Sequence, residues 1–185
     1  MSILVEHTRA KHIEVEGHPF VQYMLKGGIT KEHYILFLKQ FRRVYDIIEY
    51  YGEMSGLISG LTDIKRSSYI KQDLIELGCS EASIDHTEYL PSVKKYVDHI
   101  RDLYYSNKRD QIMAHIYVRH MGDLYGGKVI ARIVPGSGKC YGFEDRPKLI
   151  KELNAKLSLD ILDEALKAFD CSGDIFDELM EIINE

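Results

Sequence analysis

The sequence predicts an all-α fold, and three observations carry that prediction. Apolar side chains recur at three- and four-residue spacing, most clearly at Tyr34, Leu38, Phe41, Tyr45 and Ile48. The segments with this period are punctuated by glycine, proline and side chains that cap helix ends. The apolar–polar alternation of a half-buried strand is not sustained anywhere in the chain. With 185 residues, 45% of them hydrophobic and 29% charged, the chain has the length and composition of one globular unit. No repeat or linker divides it, so residues 1–185 read as a single domain of about eight helices.

The first helix is expected over residues 2–16, stopped by Gly17 and Pro19. A short second helix runs from Phe20 to Lys26 and ends at Gly27-Gly28. Thr30 is placed to cap a long helix reaching about Tyr51, followed by a Gly/Ser-rich loop from Gly52 to Thr62. Lys65–Leu77 reads as the next helix, with Gly78 as its stop, and residues 79–90 read as polar and irregular. Pro91 suits the first turn of a helix to Tyr105, which Ser106-Asn107 breaks. Another helix spans Arg109–Ile133 and ends at Pro135-Gly-Ser-Gly138, before an open loop to Arg146. The remainder divides into helices at 147–157, 159–169 and 174–183, with Asp170-Cys-Ser-Gly173 separating the last two.

The helix over 109–133 carries three glycines, Gly122, Gly126 and Gly127, each costing a helix interior about 1 kcal/mol relative to alanine. At helical spacing they leave a strip of bare backbone, with His115, Arg119 and Asp123 as a polar row beside it. Two readings of the strip stay open at this level: close packing of a second helix, or a flat ligand pressed against the backbone. His12 and Glu16, one turn apart on the first helix, form the other notable pair. A carboxylate at that spacing can fix an imidazole tautomer and leave the second nitrogen as a metal ligand, although such pairs are also common on solvated surfaces. His7 lies on a different face. The 13 tyrosines, Tyr45, Tyr117 and Tyr125 among them, and the pair Phe169 and Phe176 are ordinary core material taken one by one.

Composition also excludes classes. A net charge of −5 argues against nucleic acid as a partner. Three scattered cysteines without a CxxC pair fit a reducing compartment. No signal-peptide core and no membrane-length apolar run occur, so a soluble, cytoplasmic protein with no membrane association is expected. HExxH, a P-loop, a dinucleotide fingerprint and GxSxG are absent, and no multi-ligand metal cluster can be assembled from spacing alone.

Taken together, these segments resemble the biliverdin-producing haem oxygenase family. Ala114-His115-Ile116-Tyr117-Val118-Arg119-His120-Met121-Gly122-Asp123-Leu124-Tyr125-Gly126-Gly127 looks like the family's distal-helix signature, A-H-x-Y-x-R-x-x-G-D-L-x-G-G. A second match runs without gaps from His12 through Glu16, Phe20-Val21 and Leu25-Lys26-Gly27 to Tyr34, Tyr45 and Glu49. Gln72-Asp73-Leu74, Tyr96-Val97-Asp98, Ala165, Ala168-Phe169 and Phe176-Asp177-Glu178-Leu179 follow in the family's order.

The resemblance implies a helical haem oxygenase-like domain with haem between the first helix and the glycine-bearing one. It implies His12 as the proximal ligand to the haem iron, with Glu16 behind it; choosing His7 would need an insertion of about one helical turn before Phe20, and His12 needs none. Gly122, Gly126 and Gly127 would line the distal face, Asp123 would direct oxygen chemistry through ordered water, and Arg119 and Tyr45 would belong to its network. Tyr117, Arg9 and Lys151 are the expected propionate contacts, with Phe169 and Phe176 as pocket walls. Tyr125 and His120 depart from the family pattern, and either would close the site if it reached the iron. The implied activity is cleavage of haem, both substrate and cofactor, to biliverdin, CO and Fe2+. It consumes O2 and electrons from an external donor, ferredoxin or a flavoprotein reductase, docking near Arg9, Lys11 and Lys151, on a monomer. The rival readings are a di-iron oxidase or thiaminase-like member of the same fold, to which His18-Pro19-Phe20 is similar, and a haem carrier or sensor without turnover.

Overall fold

The structure, a computed structural model, describes residues 3–185. Among them nine α-helices follow one another: α1 Ile3–Glu16, α2 Pro19–Leu25, α3 Lys31–Met54, α4 Ser67–Glu76, α5 Glu81–Asp85, α6 Pro91–Tyr105, α7 Ile112–Ile130, α8 Arg146–Asn154 and α9 Leu162–Asn184. No strand is found among the described residues. No described helix is long and apolar enough to cross a membrane.

The helix starts follow from local chemistry. Thr30 accepts from the His33 amide at 3.2 Å to cap α3, and His18 Nδ1 accepts from the Phe20 amide at 3.2 Å ahead of Pro19 in α2. The start of α4 is capped from a distance: the Glu49 carboxylate on α3 accepts from the Arg66 and Ser67 amides, at 2.5 and 3.3 Å.

Four expectations are corrected. The stretch 79–90 contains α5, nucleated by Ser80 accepting from the Ser83 amide at 3.2 Å. Helix α3 continues past Gly52 to Met54; a Cβ at Gly52 would lie 2.9 Å from Ile116 Cδ1, so this glycine permits a close approach to α7 and does not begin a loop. The two C-terminal helices are one, α9. Its buried face runs unbroken through Ala165, Ala168, Phe169, Ser172, Ile175, Phe176 and Leu179, and Ser172 satisfies its hydroxyl by donating to the Ala168 carbonyl at 3.0 Å. The segment before Arg146 is anchored, since Asp73 accepts from the Lys139 and Cys140 amides at 2.8 and 2.9 Å.

Helix α9 is the central packing element, touching α1, α2, α6 and α7. Phe176 on α9 stacks on Phe20 of α2, ring centroids 5.4 Å apart, and meets Phe41 of α3 at 5.3 Å. Phe20 is fully buried. Phe20→Ala is expected to cost about 3–5 kcal/mol, read as a lower denaturant midpoint at unchanged m-value.

Candidate functional site

Helices α1 and α7 border an apolar cleft that comprises two adjoining cavities of about 520 and 380 Å3. His12, Val118, Gly122, Tyr125 and Phe169 line both. The sizes and largely apolar walls suit a hydrophobic small molecule.

On the α1 side, His12 is exposed to the cleft mouth. Its Nδ1 faces Glu16 Oε2 at 3.8 Å, too long for a direct hydrogen bond but near enough to orient the ring and leave Nε2 available. Phe169 meets the ring edge-on at 6.2 Å. On the α7 side, a Cβ at Gly122 would touch nothing within 4 Å, and one at Gly126 only Ile130 Cδ1 at 3.8 Å. Helix packing therefore does not require these two glycines, and the bare strip faces the cleft. Gly127 is corrected: a Cβ there would lie 3.1 Å from Tyr141 Cβ, so this glycine serves close packing on the far side of α7.

Asp123 is buried beneath the strip and lines the larger cavity. Its Oδ2 accepts a short hydrogen bond from the Tyr45 hydroxyl, to which Arg119 Nη2 donates at 3.3 Å. Burial pushes the Asp123 carboxyl above its ordinary range, opposed by the Arg119 guanidinium and the Tyr45 hydrogen bond. Burial pulls the Arg119 pKa down, but Tyr45 and Asp123 outweigh it and the net shift is upward. Arg119 lies 4.4 Å over the Phe41 ring, and its Nε has no partner among the described residues. A void of about 10 Å3 lined by Tyr45, Arg119, Asp123 and Tyr141 adjoins this group, roughly the space one water occupies.

The other expected residues divide. Arg9 and Tyr117 line the smaller cavity, and Tyr117 Oη lies 2.7 Å from Thr8 Oγ1. Phe176 lines the larger one. Lys151 is corrected: it is exposed on α8 and lines neither cavity, because α8 packs behind α7. Lys11 is tied to Asp170 and Glu14 at 2.7 and 2.8 Å, which removes it from an open basic face. Tyr125, 65% exposed, stands on the rim of both cavities and leaves them open. His120 points away: fully buried, it contacts the Ile116 carbonyl at 3.0 Å and Glu49 Oε1 at 3.1 Å, and it lines no part of the cleft. His115 likewise turns from the strip to Tyr96, its Nδ1 2.8 Å from the hydroxyl.

One supporting residue was missed. Arg146 Nη1 donates to the Asp123 and Leu124 carbonyls at 3.0 and 2.8 Å, fixing α7 from behind where the glycines weaken it. Nothing local in Asp145-Arg146-Pro147 signals this beyond a helix start. Val15, Val21, Met24 and Leu25 form an apolar wall of the larger cavity, a role not assigned to them from the sequence, where Val21 and Leu25 entered only through the family resemblance.

The family model described as Heme oxygenase matches residues 2–145. Heme oxygenase 2 of Macaca fascicularis is 28% identical over 204 residues, covering 96% of this chain and 64% of the relative's length. The chain thus spans somewhat less than two thirds of that curated relative. Among solved structures, the heme oxygenase of Leptospira interrogans superposes with a TM-score of 0.83 at 26% identity, covering 96% of this chain and 100% of that one. Heme oxygenase-1 of Synechocystis sp. PCC6803, solved in complex with heme, superposes with a TM-score of 0.82 at 23% identity, covering 98% and 94%. The match over most of the sequence and the helical architecture agree, and the chain belongs to the heme oxygenase family.

Proposed function

We propose that this protein is a haem oxygenase that cleaves haem to biliverdin, CO and Fe2+ using O2 and electrons from an external donor. One observation carries the reading: an exposed imidazole, His12, shares a single apolar cleft with two glycines whose missing side chains leave that cleft open. Haem fits these residues. A flat macrocycle needs apolar walls, one nitrogen ligand and a close approach to backbone on the opposite face; Phe169, His12 and Gly122–Gly126 offer them. Arg9 at the smaller cavity is the cation suited to a propionate, with Tyr117 beside it.

When bound, haem supplies the iron that activates O2 and the ring carbon that is oxidised. His12 would hold the haem iron through Nε2, with Glu16 orienting the imidazole. Gly122 and Gly126 admit the ring face, and Asp123 is fixed by the Tyr45 hydroxyl on Oδ2. Among the described residues Oδ1 has no protein hydrogen bond, so it is free to hold a water in the cavity and direct its proton toward the distal side. Arg119 supports Tyr45 from behind.

The electron donor is a ferredoxin or flavoprotein reductase, because the sequence has no flavin or nicotinamide fingerprint. Three free cysteines are in keeping with work in a reducing, cytoplasmic setting. The thiaminase-like reading loses its main residue: His18 is a helix cap whose Nε2 meets Asp177 at 3.0 Å.

Haemin titration of the purified protein should yield a saturable Soret band, and a reductant under O2 should replace it with biliverdin absorption and release CO. A stable band with no biliverdin would make the protein a carrier and end the oxygenase reading. Gly122→Leu separates ligand space from folding. Leucine recovers up to about 1 kcal/mol of helix propensity, its Cβ meets nothing within 4 Å and the rest of its side chain projects into the cleft, so the melting temperature should hold or rise while haem uptake is lost. Unchanged haem affinity in this variant would refute the placement of the ring against α7.

A further inference from the structure

Away from the cleft, three side chains from three helices converge: His99 on α6, His115 on α7 and Glu164 on α9. One donor atom from each lies within 4.8 Å of the other two. We propose that they form a metal site, distinct from the haem cleft, for a divalent first-row transition ion of the Zn2+ or Fe2+ class, held by two imidazole nitrogens and one carboxylate oxygen.

The donor set is the one such ions prefer, and three protein ligands leave positions open for water. Glu164 Oε1 accepts from His115 Nε2 at 2.9 Å and from His99 Nε2 in a short contact. An ion bound about 2.0–2.2 Å from each donor would take the place of these two hydrogen bonds, so the three groups need only spread slightly. The protonation states suit ligation. Burial drives the His115 imidazole pKa down against the pull of Glu164, which keeps the ring neutral. Burial would raise the Glu164 pKa, but hydrogen bonds from His115 and His99 outweigh it and hold the carboxyl well below its ordinary range.

The surroundings also match. Tyr96 Oη, 2.8 Å from His115 Nδ1, would accept a hydrogen bond from Nδ1–H when Nε2 binds the ion. The His115 ring would shift its proton from Nε2 to Nδ1, so its ligation releases none. Lys167 Nζ lies 3.2 Å from His99 Nδ1, on an exposed side chain that can swing aside. His99 and Glu164 remain 18% and 14% exposed, giving an entry path, whereas His115 is sealed in the core. None of the three residues lines the cleft.

The full chain, freed of haem and treated with chelator, provides the test. Titration with Co2+ should produce visible d–d absorption that saturates at a single ion per chain, and Zn2+ should displace it. Glu164→Gln and His99→Gln should each weaken Co2+ binding by about 100-fold or more, since even supporting residues around a metal contribute about 10- to 100-fold. Circular dichroism melts confirm that the variants fold. Absence of saturable absorption in the wild type, or its survival in both variants, overturns the proposal. Loss in His12→Ala alone would locate the ion at the His12–Glu16 pair and overturn it equally.

Discussion

His12→Ala is expected to lower haem affinity and biliverdin formation on the order of 100-fold or more, with no measurable loss of stability. The size follows from removing the imidazole that, among the described residues, is the only one lining the cleft and is proposed as the iron ligand, when even residues that merely orient a ligand contribute about 10- to 100-fold. Stability should stay within about 0.5 kcal/mol, because His12 is 58% exposed and its nearest ionic partner, Glu16, is equally solvated. The Soret band and pyridine-free absorption spectrum of the titrated variant check the affinity, and a thermal melt checks the fold. Added imidazole should restore part of the band by refilling the vacated ligand position. A normal Soret titration in His12→Ala would move the ligand to another residue and dissolve the placement of haem between α1 and α7.

The second large effect is expected at Asp123, with the opposite signature. Asp123→Ala should bind haem near normally but lose biliverdin formation by about 100- to 1,000-fold, the range typical of deleting one preorganised polar group that acts on developing charge. Asp123 lies beneath the glycine strip and holds no position that a ring needs for binding. Its carboxylate is fixed by the buried Tyr45 hydroxyl, so deletion would remove the proposed anchor for a water in the cavity and leave Tyr45 without its acceptor. Asp123→Asn preserves shape without charge and should fall close to Ala. Tyr45→Phe should lie between Asn and wild type, because Arg119 and the cavity walls remain. Single-turnover spectra under O2 separate these cases, and undiminished biliverdin yield in Asp123→Ala would remove Asp123 from the chemistry.

Much of the fold was legible from local chemistry. Thr30 marks a helix start that depends on its own side chain and a neighbouring amide, Pro91 marks another that Glu178 on α9 reinforces by accepting from the Ser92 amide at 3.1 Å, and Gly78 marks a stop, where φ is +92°. The errors arose where long-range packing overrode local punctuation. Gly52 looked like a loop residue until Ile116 occupied the space a side chain would need. Asp170-Cys-Ser-Gly173 looked like a break, yet the buried stripe of α9 passes through it. Within the site, His12 and Glu16 were readable as one turn of helix, and Gly122 and Gly126 as one bare face.

By itself, the sequence determined an all-α chain with a His–Glu turn near its start and a glycine-rich helix carrying Arg119 and Asp123. Only the tertiary structure decided which glycines face the cleft, and that His115 and His120 point elsewhere. It also supplied Arg146 as the support behind α7 and brought His99, His115 and Glu164 together. The physical reason is that helical spacing fixes angles around one axis, about 100° per residue, but not how that axis is rotated against its neighbours. That rotation is set by the packing of α3, α9 and the turn at residues 139–141 against α7. It turns Gly127 onto Tyr141 and leaves Gly122 bare to the cleft.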